Sequence, residues 1–293
     1  MTARSWLFVP GDSPSKIEKA LGSGADAVIL DLEDSVAPAS KAAARDGVAQ
    51  ILRRPRAGGG PQLWVRVNPL TTTLALEDLA AIVVAAPDGV VLPKAEGAGD
   101  IERLDHYLEA LEAGAGRPIG ATSILPISTE TPRALFKLDS YAQVAGRLAG
   151  LTWGAEDLPS AVGASINHGS DGAFTDLCRL ARTLCLAGAA AADVSAIETV
   201  YPAFRDFDGL RAYADLGRKE GFGGMLAIHP AQVEIINAAF TPSEAEIGHA
   251  QQVLEAFRQG AGVISLDGQM LDAPHLKQAQ RILALVAPKE VKG

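Results

Sequence analysis

Seven short polar clusters in this chain stand directly after apolar runs, and together they hold the residue types that acid–base and metal chemistry needs. They are Phe8-Val-Pro-Gly-Asp12, Asp31-Leu-Glu-Asp34, Arg66 with Asn68, Pro93-Lys94, Ser128-Thr-Glu130, Gly154-Ala-Glu-Asp157 and His229-Pro230. Carboxylates brought to one place suit a hard divalent cation such as Mg²⁺, which takes a few carboxylates and leaves positions for substrate oxygens and water. A plainer reading stands beside this one. Glu130 precedes Thr131-Pro132 and Asp157 precedes Leu158-Pro159, so either acid could instead cap the helix that follows. Arg66 alternates with Val65 and Val67 and points away from them, as a structural ion-pair partner or as a site residue. Lys94 and His229 read as supporting residues.

The elements that must position these clusters are legible as a repeating pattern. Apolar runs at 6–9, 27–30, 63–67, 89–92, 122–127, 148–153, 194–199 and 224–228 predict eight strands. They are apolar along most of their length rather than alternating, as parallel strands covered on both faces are. Helix signals lie between them: Ser13-Pro14 and Thr131-Pro132 open helices, and Gly22 and Gly221 close them. Eight such units predict an α/β fold, a (β/α)₈ TIM barrel, whose catalytic groups lie on the loops after the strands. The division expected is a barrel over residues 1–240 and a C-terminal extension over 241–293. That extension reads as a helix over 243–260, a hairpin over 262–272 turning at Asp267-Gly268, and a closing helix over 276–286.

Composition narrows the function. The 293 residues carry 26 Lys and Arg against 35 Asp and Glu, a net charge of −9, which argues against nucleic-acid binding. Cys178 and Cys185, seven residues apart, fit no metal or redox motif and read as core residues. No apolar stretch is long enough to cross a membrane and the first residues lack a signal-peptide core, so a cytoplasmic protein is expected.

Arg4-Ser-Trp-Leu-Phe-Val-Pro-Gly11 and Gly24-Ala-Asp-Ala-Val-Ile-Leu-Asp-Leu-Glu-Asp34 resemble the opening of citrate lyase β-subunit-like proteins of the HpcH/HpaI aldolase family, whose relatives include malyl-CoA and citramalyl-CoA lyases. Val65-Arg-Val-Asn68, Val91-Leu-Pro-Lys94, Glu130-Thr131, Gly154-Ala-Glu-Asp157, Ala227-Ile-His-Pro230 and Met270-Leu-Asp272 continue the resemblance in order. It implies a Mg²⁺-dependent enzyme that cleaves or condenses a 3-hydroxyacyl-CoA, or hydrolyses such a thioester. By resemblance Glu130 and Asp157 hold the metal, and Arg66 holds the reacting oxygens. Asp272 is the acid/base on a lid offered by an adjacent subunit, and Phe8 and Lys19 touch coenzyme A. A homo-oligomer is expected, a trimer or a dimer of trimers. Met225-Leu226, Ser15 and Glu198 depart from residues common in relatives, the first two removing cations that could meet CoA phosphates. Two other readings follow from the same resemblance, the β-subunit of a citrate-lyase-type complex acting on an acyl-carrier-protein thioester and a non-catalytic binding barrel. The intact Met270-Leu-Asp272 segment and the full set of four polar residues favour the stand-alone enzyme.

Overall fold

The computed structural model describes residues 3–56, 58–259, 263–266 and 269–286. Each of the eight apolar runs forms a strand: β1 (Ser5–Pro10), β2 (Ala27–Asp31), β3 (Gln62–Arg66), β4 (Gly89–Leu92), β5 (Ser123–Pro126), β6 (Gly150–Thr152), β7 (Ser195–Glu198) and β8 (Gly224–Ala227). All pair in parallel, in the order β5-β4-β3-β2-β1-β8-β7-β6. The two ends meet through isolated parallel bridges, Ile124 with Leu148 and Ile127 with Thr152, and the sheet closes as the expected barrel.

Helices follow the strands: α1 (Pro14–Leu21), α2 (Lys41–Leu52), α3 (Leu74–Val83), α4 (Ala98–Gly114), the short α5 (Pro132–Leu135) and α6 (Asp157–Ala161), then α7 (Asp176–Ala191), α8 (Phe207–Glu220) and α9 (Val233–Ala239). Ser13-Pro14 and Thr131-Pro132 both open helices, Ser13 at the N-cap position of α1 without a side-chain cap bond and Thr131 with one. The Thr131 hydroxyl accepts the Ala134 N–H at 3.2 Å, and the Asp206 carboxylate accepts the Gly209 N–H at 3.0 Å. Gly221 ends α8 at φ +116°, a conformation glycine takes without a Cβ clash. Cys178 and Cys185 are free and buried in α7.

Alternate residues of the strands fill the barrel. Trp6, Ala27, Ile29, Trp64, Val91, Leu125, Ile127, Ile197 and Leu226 form one buried cluster. Trp6 and Trp64 meet edge to face with centroids 5.0 Å apart. Gly89 makes room for them, because a Cβ there would lie 2.1 Å from the Trp64 ring.

The barrel unit runs to Asn237, and a second compact unit begins at Ala238. The second unit contains α10 (Glu244–Gln259), an antiparallel pair β9 (Ile264–Leu266) and β10 (Gln269–Leu271), and α11 (Ala273–Val286). It has its own core, with Ala250, Val253, Leu271 and Ala279 buried and Phe257, Ile264 and Leu283 packed on them. The turn expected at Asp267-Gly268 lies outside the described residues. Among the described residues no helix is long and apolar enough to cross a membrane.

Candidate active site

Strand periodicity builds the floor and the first wall of the site. Phe8, Asp31 and Arg66 each stand two residues beyond an inward-facing residue (Trp6, Ile29 and Trp64), so they share its face at the strand C-termini. With Val9, Pro10, Ser35, Val200 and Ile228 they line a cavity of about 330 Å³.

Asp31 and Arg66 are register partners in the β2–β3 ladder, which sets them side by side. The Arg66 guanidinium forks onto the carboxylate, Nε to Oδ1 and Nη2 to Oδ2, both at 2.7 Å. Its Nη1 lies 3.1 Å from Glu33 Oε2, and its carbon sits 4.9 Å from the Phe8 ring centroid. Burial opposes ionisation of Asp31, but the Arg66 fork and the N–H groups of Ser35 and Glu33 outweigh it and hold the carboxyl below its ordinary range. The two readings of Arg66 therefore coincide. An ion pair aims the guanidinium, and the guanidinium lines the cavity.

The second wall is a carboxylate group gathered around Lys94. Glu130, after β5, is 4% exposed and accepts the Lys94 backbone N–H at 2.5 Å. Lys94 adopts φ +54°, unusual for a residue with a side chain. Its Nζ donates to Glu33 Oε1 at 2.6 Å and lies 3.5 Å from Asp157 Oδ1 and 3.7 Å from Asp34 Oδ2. A Cβ at Gly154 would come within 3.2 Å of Glu130 Cγ, so this glycine lets the acid lie flat against the β6 loop. Thr131, not Glu130, supplies the side-chain cap of α5, while Asp157 is the first residue of α6 and Glu156 holds its N-cap position.

The charges around Glu130 are unbalanced. Burial pushes its carboxyl up to about 8; the Lys94 N–H pulls the other way, and the Asp157 and Glu33 charges push it further. Glu33 is also raised, by burial, against the pull of Arg66 and Lys94. Its Oε2 makes no hydrogen bond despite the nearby Arg66 nitrogen. Among the described residues no three His, Cys, Asp or Glu side chains converge as a complete metal cage. Mg²⁺ does not need one, because it binds through one or two carboxylates and completes its shell with water and substrate oxygens. Two acids gathered at Lys94, one short of donors and driven toward protonation by burial and then by its neighbours' negative charge, fit such an ion.

A further buried acid is different. Glu198, at the end of β7, accepts from Trp153 Nε1 (2.6 Å), Arg182 Nε (2.7 Å), Tyr213 OH (2.9 Å) and the Thr199 N–H (2.9 Å). Tyr213, Tyr201, Phe174 and His168 line a further cavity of about 510 Å³, which shares Val200 with the first.

Of the residues singled out in the sequence, Phe8 and Arg66 line the first cavity, and Glu130 and Asp157 flank Lys94. Lys19 is exposed on α1 and is not among the lining residues of the cavity. Asp272 belongs to the second unit, exposed, with its Oδ1 2.6 Å from His275 Nδ1. Sequence reasoning passed over the positioning roles of Asp31 and Glu33, while Lys94, read as a supporting residue, does hold the acids around it. Asp31 had one usable signal, its strand phase relative to Ile29.

Residues 4–230 match the HpcH/HpaI aldolase/citrate lyase family, and residues 184–287 match the C–C bond lyases of the TIM-barrel fold. The citrate lyase subunit beta of Leuconostoc mesenteroides is 34% identical over 96% of this chain and 92% of its own length. A (3S)-malyl-CoA thioesterase of Cereibacter sphaeroides is 36% identical over 96% and 93%. The crystal structure of CitE from Mycobacterium tuberculosis in complex with magnesium, acetoacetate and coenzyme A superposes with a TM-score of 0.78 at 33% identity, covering 97% of this chain and 98% of that one.

Proposed function

The chain belongs to the HpcH/HpaI aldolase/citrate lyase family, and we propose from this premise that it is a Mg²⁺-dependent carbon–carbon lyase of 3-hydroxyacyl-CoA thioesters of the malyl-CoA or citramalyl-CoA type. The observation that carries the reading is the pairing of two walls: a guanidinium fixed by Asp31, and the acids Glu130 and Asp157 with charge to spare. The relatives' names, and the magnesium and coenzyme A bound by the mycobacterial structure, support the substrate class.

Glu130 and Asp157 hold Mg²⁺, which supplies the positive charge that acidifies the substrate hydroxyl and orients its carboxylate. Arg66 places its fixed guanidinium at the oxygen where negative charge develops as the carbon–carbon bond breaks. Asp31 keeps that group from reorganising, because the fork leaves it one orientation. Phe8 lines the cavity and offers its ring to the coenzyme A moiety of the substrate. Asp272 passes a proton to or from the enolate carbon of the thioester fragment, and exposed Lys19 offers a charge to the phosphates of coenzyme A. The same site with water as the acceptor gives a thioesterase, the reading favoured by the (3S)-malyl-CoA thioesterase relatives.

Our reading gives the extension over 241–293 the role of a lid, shared between subunits of a homotrimer or of a dimer of trimers. Met270, 78% exposed beside Asp272, offers that lid an apolar contact. The compartment proposed for the reaction is the cytoplasm, a reading supported by the two free, buried cysteines.

The purified protein incubated with malyl-CoA and with citramalyl-CoA should release an oxo acid and a shorter acyl-CoA. EDTA should stop the reaction and excess Mg²⁺ should restore it. Free coenzyme A with an intact hydroxy acid would mark the thioesterase instead, and turnover indifferent to EDTA would overturn the metal role. Mixing Asp272→Asn with Arg66→Ala subunits should regain partial activity if the site is shared; no recovery in a mixture shown to exchange subunits would place the lid in cis.

A further inference from the structure

Lys94 touches both halves of the carboxylate site with different parts of itself. Its backbone N–H holds Glu130, and its ammonium bonds Glu33 at 2.6 Å and stands 3.5 Å from Asp157. The left-handed φ of +54° lets one residue do both, turning the chain after β4 so that the amide meets Glu130 while the side chain meets Glu33 and Asp157. A lysine pays no such strain without a compensating contact, and here the contact is with four carboxylates, Glu130 through the amide and Glu33, Asp157 and Asp34 through the ammonium.

We propose that Lys94 is an exchangeable internal cation: its ammonium occupies the electrostatic centre of the acid group until a divalent ion arrives, then yields Asp157 and stays on Glu33. The inference rests on the metal role given to Glu130 and Asp157 above. It follows from the charges, since an ammonium already within 4 Å of Asp157 repels an incoming dication and must give way. The four-carbon stem of lysine and its 32% side-chain exposure allow that movement. Glu33 keeps a second partner throughout, because Arg66 Nη1 lies 3.1 Å from its Oε2.

The test is Mn²⁺ binding to the full-length protein without substrate, read from the electron paramagnetic resonance of the free ion. Lys94→Gly deletes the ammonium while keeping the N–H on Glu130 and a backbone conformation that glycine adopts freely. Lys94→Met deletes the charge and keeps the stem. Both should bind Mn²⁺ at least about tenfold more tightly than the wild type, whereas loss of a merely structural lysine would leave binding unchanged or weaken it. Equal or weaker binding by the variants, with wild-type binding intact, overturns the role of Lys94 alone. Failure of the wild type to bind Mn²⁺ overturns the metal site and this inference together. Melting curves check each variant, and should Lys94→Gly not fold, Lys94→Met decides.

Discussion

Glu130 and Glu198 occupy similar places, each buried at the C-terminal end of a barrel strand, yet their surroundings differ sharply. Glu198 accepts from an indole, a phenol, a guanidinium and an amide. Glu130 receives the Lys94 amide and faces Asp157 and Glu33. A buried acid whose lone pairs are all used is a structural joint, here tying β7 to α7 and α8. A buried acid left short of donors costs stability as an ion, and that cost is tolerated where a ligand supplies the balancing charge.

The contrast can be broken in four ways. Glu130→Gln should lower Mg²⁺-dependent turnover at least about a thousandfold, since the charge stabilisation supplied by a metal is worth several kcal/mol. Its melting temperature should hold or rise, and steady-state kinetics beside calorimetry reads both. Glu198→Gln should do the reverse, costing about 3 kcal/mol in urea unfolding because Arg182 loses much of its charge partner, with kcat changed less than about tenfold. Arg66→Lys keeps the charge but loses the fork, and kcat should fall about 100-fold. An unchanged kcat with a lower melting temperature would reduce Arg66 to a structural role.

The pH dependence separates the two acids most finely. With divalent ions chelated, the Glu130 carboxyl titrates near 8 in the folded chain and near 4.5 in the unfolded one. The folded state therefore holds the extra proton between those values, and stability should fall by about 2 kcal/mol as pH rises from about 6 to 8. Excess Mg²⁺, or Glu130→Gln, should flatten that slope, and thermal melts across the range would show it. A slope that survives Glu130→Gln would assign the titration to another group.

All eight strands could be read from the chain because buried parallel strands are apolar on both faces, a signal that needs no partner. Glu130 and Asp157 could be found because each follows a strand directly. The Asp31–Arg66 fork could not, since it depends on the β2–β3 register, which sets side by side two residues 35 apart in sequence. Lys94 was harder still. Nothing in Pro93-Lys94 announces a left-handed lysine, and that turn is held by contacts with Glu130 and Glu33, 36 and 61 residues away in sequence. Lys19 and Asp272 depended on resemblance alone, without periodicity or pairing to place them.

The barrel is joined unevenly around its circumference. Seven neighbouring pairs share continuous ladders, while β5 and β6 meet through two isolated bridges, held by the amides of Ala149 and Ser128 on the carbonyls of Ile124 and Thr152. Glu130 leaves the barrel from one side of that joint and Asp157 from the other. An ion gripped by both would therefore act as a clasp on the loosest stave of the cask. Hydrogen–deuterium exchange should register it, with the Ala149 and Ser128 amides slowing on metal binding while those of the β1–β2 ladder keep their rates.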